Sequence, residues 1–216
     1  MKQGTRSPRW VKAAALVASV LSASCGTGAV QAQAGQPEPH SAPPSHPAAH
    51  ADPDVRFMTG MIAHHAQALD MVALVPERAT RADVRRMAER IEVSQRDEIA
   101  MMQRWLQARG HPVPAADAAH AHHGPAHARM PGMLSEEEMQ RLAAARGPEF
   151  DRLFLELMIR HHEGALEMVA ELFGTPGGGQ ASEVFHVASE VGADQRMEIE
   201  RMRTMLAGPL DGSRPR

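Results

Sequence analysis

Two pairs of adjacent histidines, His64–His65 and His161–His162, each follow a methionine by a few residues, Met61 and Met158, and each precede another, Met71 and Met168. Thioether sulfur suits Cu(I), and imidazole accepts copper in either oxidation state. If the segments are helical, Met61 and His64 lie one turn apart and can converge on one ion, as can Met158 and His161. Met71 is about 10 Å further along the axis at the helical rise. It either packs the core or serves another ion, with Met102 completing that site from a facing helix. Met202 holds the corresponding place in the second half of the chain.

The apolar pattern supports helices here. Phe57, Met61, His64, Ala68, Met71 and Val75 fall at spacings of three and four, beside a second stripe of Met58, Ile62, His65, Leu69 and Val72. Such spacing marks the buried face of a helix. All four histidines therefore sit among apolar residues. Hydrogen-bonded core histidines are the plain alternative, but four of them, paired and duplicated behind Met, favour a metal role. A further stripe carries Gln95, Glu98 and Met102, matched by Gln195, Glu198 and Met202. A bundle-facing carboxylate is costly unless it is paired or coordinating. Glu98 and Glu198 can orient a histidine through its second ring nitrogen, ligate metal directly, or bond an arginine at the end of the bundle.

These residues need helices to carry them, and the chain supplies them twice. MIAHHAQALDMVAL at 61–74 returns as MIRHHEGALEMVAE at 158–171, and Asp54-x-x-Phe57 returns as Asp151-x-x-Phe154 at the same offset. Downstream, SQRDEIAMMQRWL at 94–106 returns as DQRMEIERMRTML at 194–206. Both helices of a hairpin are thus duplicated. The first helix is expected over Asp54–Val75, stopping before Pro76. Thr80 is expected to cap the second, with Asp83 three residues on, and Gly110 to end it. Ser135 and Glu138 form a capping box for a short helix, and Pro148 suits the first turn of the next, which runs to about Phe173. The last helix is expected from about Ala181 to Ala207. Two hairpins that cannot bury their apolar stripes alone should close into an all-α, four-helix (ferritin-like) bundle over residues 54–208, made of hairpins 54–109 and 135–208.

The remaining segments have other characters. Residues 1–34 read as an export signal, with Lys2, Arg6, Arg9 and Lys12 ahead of a short uncharged run. Ala32-Gln33-Ala34 fits a cleavage site; Leu21 to Cys25 resembles a lipoprotein box, so a membrane link would run only through lipid on Cys25. Residues 35–53 are a Pro-, Ala- and His-rich tether and 209–216 a tail. The linker 110–134 carries His120, His122, His123 and His127, which are either accessory metal ligands or a polar loop. The chain has one cysteine, so a disulfide framework is excluded and a soft-metal site must be built without a set of thiolates. The formal charge is −3, and loss of residues 1–34 would remove four basic and no acidic side chains. That balance argues against nucleic acid as a partner.

The duplicated Phe-x-x-x-Met-Ile-x-His-His-x-x-Ala-x-x-Met, with Glu-Ile-x-x-Met in each following helix, resembles the domain-of-unknown-function family 305. The resemblance spans about Asp54 to Leu206. It implies a ferritin-like bundle, exported, with copper binding and copper tolerance in some members. It also implies that Met61, His64, His65, Met71, Met158, His161, His162 and Met168 are the functional residues. The first half reads His-His-Ala-Gln-Ala where the second has Gly164, and Trp105 stands where the second half has Met205. The two halves are therefore expected to differ in metal strength.

The function expected is sequestration or delivery of copper, Cu(I) in preference to Cu(II), to a delivery partner protein, without catalysis. A ferritin-like di-iron oxidase would need Glu from two helices and Glu-x-x-His from two others. Glu183-x-x-His186 is present, but Asp83 and Arg86 stand at the matching places. A metal-free helical scaffold is the other alternative.

Overall fold

The structure is a computed structural model, which describes residues 52–114 and 130–208. The export segment, Cys25, nearly all of the tether, the linker residues His120, His122, His123 and His127, and the tail lie outside the described residues.

Six helices and no strand occur among the described residues: α1 Pro53–Ala73, α2 Val75–Arg78, α3 Ala82–Ala108, α4 Glu136–Ala144, α5 Gly147–Gly174 and α6 Ser182–Ala207. The chain is all-α. Four long helices form a bundle in which α1 packs on α3, α5 on α6, α1 against α5, and α3 against α6.

Local chemistry accounts for most helix ends. Asp52 accepts a hydrogen bond from the Asp54 N–H at the start of α1, and Pro53 fills its first turn. Gly110, at φ +71°, lets α3 end with His111 N–H donating to the Leu106 carbonyl, the left-handed closure that glycine permits. Ser135 and Glu138 form the expected reciprocal capping box on α4.

α1 stops at Ala73, ahead of Pro76 as expected, and Pro76 then sits in the first turn of the one-turn α2, where its missing N–H costs nothing. One expectation at this corner is corrected: Thr80 does not cap α3. Its hydroxyl donates to Asp151 Oδ2 at 2.6 Å, and the N–H groups of Thr80 and Arg81 donate to the same carboxylate.

Asp54 acts likewise from the other hairpin, accepting from the N–H groups of Gly179 and Ala181 just ahead of α6. Each buried aspartate at the start of one hairpin thus ties down the corner of the other. These links also show that α1 and α5 run antiparallel, since the start of α1 meets the chain just beyond the end of α5.

The core comes in two apolar clusters. One holds Met71, Met87, Phe150, Phe154, Met158 and Met202. The other holds Phe57, Met61, Met102, Trp105, Ala165 and Leu172. Between them, in every long helix, lies a stretch of buried polar residues.

Candidate metal centre

The polar layer consists of His64 and His65 from α1, Gln95 and Glu98 from α3, His161 and His162 from α5, and Gln195 and Glu198 from α6. All four histidines are fully buried. They lie here because each His-His pair sits mid-helix on the apolar stripes, so bundle closure carries it inward with its neighbours.

Hydrogen bonds fix three of the rings. His65 Nε2 donates to Glu98 Oε2 at 2.6 Å, and His162 Nε2 donates to Glu198 Oε2 at 2.8 Å. His64 Nε2 donates to the Pro131 carbonyl at 3.0 Å. A carbonyl or an ionised carboxylate only accepts, so Nε2 must carry hydrogen in each case. The other nitrogen, Nδ1, has no hydrogen-bond partner in His64, His65 or His162, and His161 has none at either nitrogen. Both side-chain polar atoms of Gln95 and the Oε1 of Gln195 are also unpartnered. So many orphaned polar atoms in one buried layer are unusual for a closed core.

His64 and His161 meet at the centre, with ring centroids 3.9 Å apart. Burial, then the adjacent His65, pushes His64 down to about 3. Burial, then His64, holds His161 well below the ordinary histidine value. Both are neutral at neutral pH, so neither must lose a proton before a nitrogen lone pair meets a metal ion. Glu98 and Glu198, with burial acting first, raise the Asp194 carboxyl at the edge of the layer. A groove between α3 and α6, lined by Met87, Asp194 and Met197, opens onto Glu198.

The structure sorts the remaining residues singled out in the sequence. Met61, Met71, Met102, Met158 and Met202 are fully buried, while Met168 is half-buried. Met61 shares its cluster with Met102, and Met158 shares the other with Met202, so thioethers flank the imidazole layer on both sides. The expected pairing of Met71 with Met102 is corrected: Met71 belongs to the cluster of Met158 and Met202. α1 and α3 are the antiparallel arms of one hairpin, so Met71, near the end of α1, clusters with Met87 from the start of α3 and lies away from Met102 near its end. Glu98 and Glu198 reach histidines, and the alternative of arginine partners at the bundle end does not hold for them. Glu183 and His186, which a di-iron site would need, are exposed and pair with Arg109 and Glu190. Among the described residues no group of three or more His, Cys, Asp or Glu converges as a metal site. A metal held here would therefore draw on thioether or amide donors as well as imidazole.

One participant had no sequence signal. The segment Met130–Leu134 crosses the α1–α5 face and supplies the Pro131 carbonyl to His64. Gln67 clamps it, exchanging hydrogen bonds with the Leu134 N–H and carbonyl. At the matching position of the second hairpin stands Gly164, where a Cβ would lie 2.0 Å from the Pro131 oxygen. The Gln67/Gly164 difference between the halves is therefore explained by this one crossing segment: one side grips it, the other makes room.

Comparisons with known proteins agree with this architecture. Residues 54–206 match the family model described as a domain of unknown function, DUF305. A crystal structure of a DUF305 fragment from Deinococcus radiodurans is 36% identical, covers 72% of this chain and 95% of its own, and superposes with a TM-score of 0.62. A DUF305 protein from Streptomyces coelicolor, described as secreted, is 28% identical with a TM-score of 0.62, covering 72% of this chain and 91% of its own. CopM in its Cu(I)-bound form is 26% identical, with a TM-score of 0.55 over 71% of this chain and 95% of its own. The Cu(II)-bound form of CopM gives 27% and 0.57 over the same shares. No curated protein matches the chain. With a family model covering most of its length and a 36% identical relative spanned almost end to end, this chain belongs to the DUF305 family.

Proposed function

We propose that this chain is an exported copper-binding protein that sequesters copper or hands it to a delivery partner, in the service of copper tolerance, and is not an enzyme. One observation carries the reading. Three buried imidazoles have Nε2–H held by an acceptor while Nδ1 is left without a partner. Metal-ligating histidines share that arrangement, because the second hydrogen bond orients the ring and makes it more basic. Met61 with Met102, and Met158 with Met202, add soft donors on either side, which favours Cu(I) while still admitting Cu(II) at the imidazoles.

The likeness to CopM, solved with Cu(I), Cu(II) and silver, supports the choice of metal. The basic, then apolar, opening of the chain and the secreted Streptomyces relative support export. A lipid on Cys25 would be its one link to a membrane, and its acidic balance leaves nucleic acid aside. A metal-free scaffold accounts for the Glu98 and Glu198 hydrogen bonds but not for five orphaned ring nitrogens and two orphaned glutamines. The test is Cu(I) titration against a competing chelator, comparing the parent with a Met61, His64, Met158, His161 quadruple alanine variant. Tight binding by the parent alone supports the reading; equal binding by both overturns it for the bundle and leaves the linker histidines as the ligands.

A further inference from the structure

The two hairpins match closely around the histidines but differ at the residue just before Met61, one turn ahead of His64. Gly60 stands where the second hairpin has Leu157. In the bundle, Leu157 is buried in the same cluster as Met71, and Met71 is fully buried. At Gly60 the side chain is missing and the space is shared by two thioether groups. A Cβ on Gly60 would lie 3.3 Å from the Met168 methyl and 3.7 Å from the Met130 sulfur. Met168, the counterpart of Met71, is consequently half-buried. It also lines a shallow surface pocket with Phe57 and Glu171, so solvent reaches it. Met130 is half-buried and comes from the segment that crosses the α1–α5 face. The next residue along, Pro131, gives its carbonyl to His64.

From this we infer that Met130 and Met168, facing one another over Gly60, form a separate surface site for a soft monovalent cation, Cu(I) or Ag(I), present in one half of the bundle only. Thioether is neutral and polarizable, so it selects such ions over hard or divalent ones. Glycine at 60 serves the site by leaving the room that leucine fills in the other half. Met130 directly precedes Pro131, whose carbonyl holds His64, and Gly60 lies one turn before His64, so the pair adjoins the buried histidine layer. The inference rests on the copper reading above, but it adds Met130, which lies outside the duplicated motif.

The experiment is Ag(I) and Cu(I) titration of the full chain, followed by competition with a thioether-free chelator, for the parent, Met130→Leu/Met168→Leu and Gly60→Leu. Leucine conserves the volume of methionine, so the apo melting curves of the parent and the double methionine variant should coincide within a few degrees, while Gly60→Leu displaces the two thioethers from the space they share. The expected result is loss of one equivalent of Ag(I) in both variants, with the binding that depends on His64 and His161 intact. Retention of every equivalent by the double methionine variant overturns the surface site and leaves the copper reading standing. A parent that binds neither ion overturns both. Loss of the equivalent from the methionine variant but not from Gly60→Leu assigns the site to the thioethers and removes the role given to Gly60.

Discussion

His64 and His161 face each other across the α1–α5 contact with ring centroids 3.9 Å apart and planes tilted by 40°. The two rings are not equivalent. His64 donates to the Pro131 carbonyl, while His161 has no hydrogen-bond partner at either nitrogen. An orphaned buried polar group costs roughly 1–3 kcal/mol, so the pair destabilises the apo bundle and needs something else to justify it.

His161→Leu should therefore raise the stability of the apo chain, by about 1 kcal/mol in urea unfolding. His64→Leu should gain less, because the Pro131 oxygen then loses its donor. Both changes should remove the rise in melting temperature expected on adding copper, since a ligand that binds the folded state stabilises it. A copper-dependent shift that survives in the double variant would place the ion elsewhere.

Glu98→Ala leaves the His65 Nε2–H without an acceptor in a buried site, as Glu198→Ala does for His162. Each should cost about 1–3 kcal/mol in the apo chain. Copper affinity should fall by about 10–100-fold, the usual loss when the group behind a metal-binding histidine is removed. Chelator competition measures this directly, and unchanged affinity in both variants would show that these carboxylates serve packing alone.

The acid response should carry the signature of His64. Its value is about 3 in the folded chain against about 6.5 for an ordinary histidine. The unfolded state then binds the extra proton first, and stability falls as pH drops. The contribution is fully present above about 6.5 and is lost progressively toward 3. His161 is lowered in the same direction, and both rings face His65 and His162 in the same layer. Urea midpoints measured between pH 7 and pH 5, above the range where most carboxylates titrate, should decline for the parent. They should decline much less for His64→Leu/His161→Leu.

Much of this was legible in the sequence because it is periodic. The duplicated stripes place four helices, bring Glu98 and Glu198 to the inner face, and put all four histidines inside. The separation of Met71 from Met102 also follows from the hairpin, because they sit near the ends of its two antiparallel arms, α1 and α3. Long-range crossing leaves no such mark. Thr80 looks like a helix cap locally, yet its hydroxyl is taken by Asp151, 71 residues away. The Met130–Leu134 segment has no periodicity at all, and its hold on His64 and Gln67 spans 67 residues.

Asp151 offers a test of how the hairpins are joined. Its buried carboxylate accepts from Thr80 twice and from Arg81 once, and Asp54 does the same work at the opposite corner. Asp151→Ala strands three donors and should cost about 3 kcal/mol or more, as loss of a charged hydrogen-bond acceptor does in a buried setting. Asp54→Ala should cost less, with two N–H groups stranded. Chemical denaturation of the apo chain reads both, and equal, near-zero effects would mean the corners are held by apolar packing instead.

Gly164→Ala probes the crossing segment without touching a histidine. The added Cβ would meet the Pro131 oxygen at 2.0 Å and the Gly132 Cα at 2.6 Å, both backbone atoms that cannot swing aside as a side chain would. The segment must lift, which takes the Pro131 carbonyl from His64. Overpacking and the broken hydrogen bond together should cost about 2–3 kcal/mol. Gly174→Ala, at the end of the same helix with nothing within 4 Å of its added Cβ, is the control and should be neutral or slightly stabilising. If the freed His64 ring then titrates nearer its ordinary value by NMR in Gly164→Ala alone, the crossing segment is what keeps that ring in the dry interior. If both variants behave alike, the segment lies over the histidines without holding them.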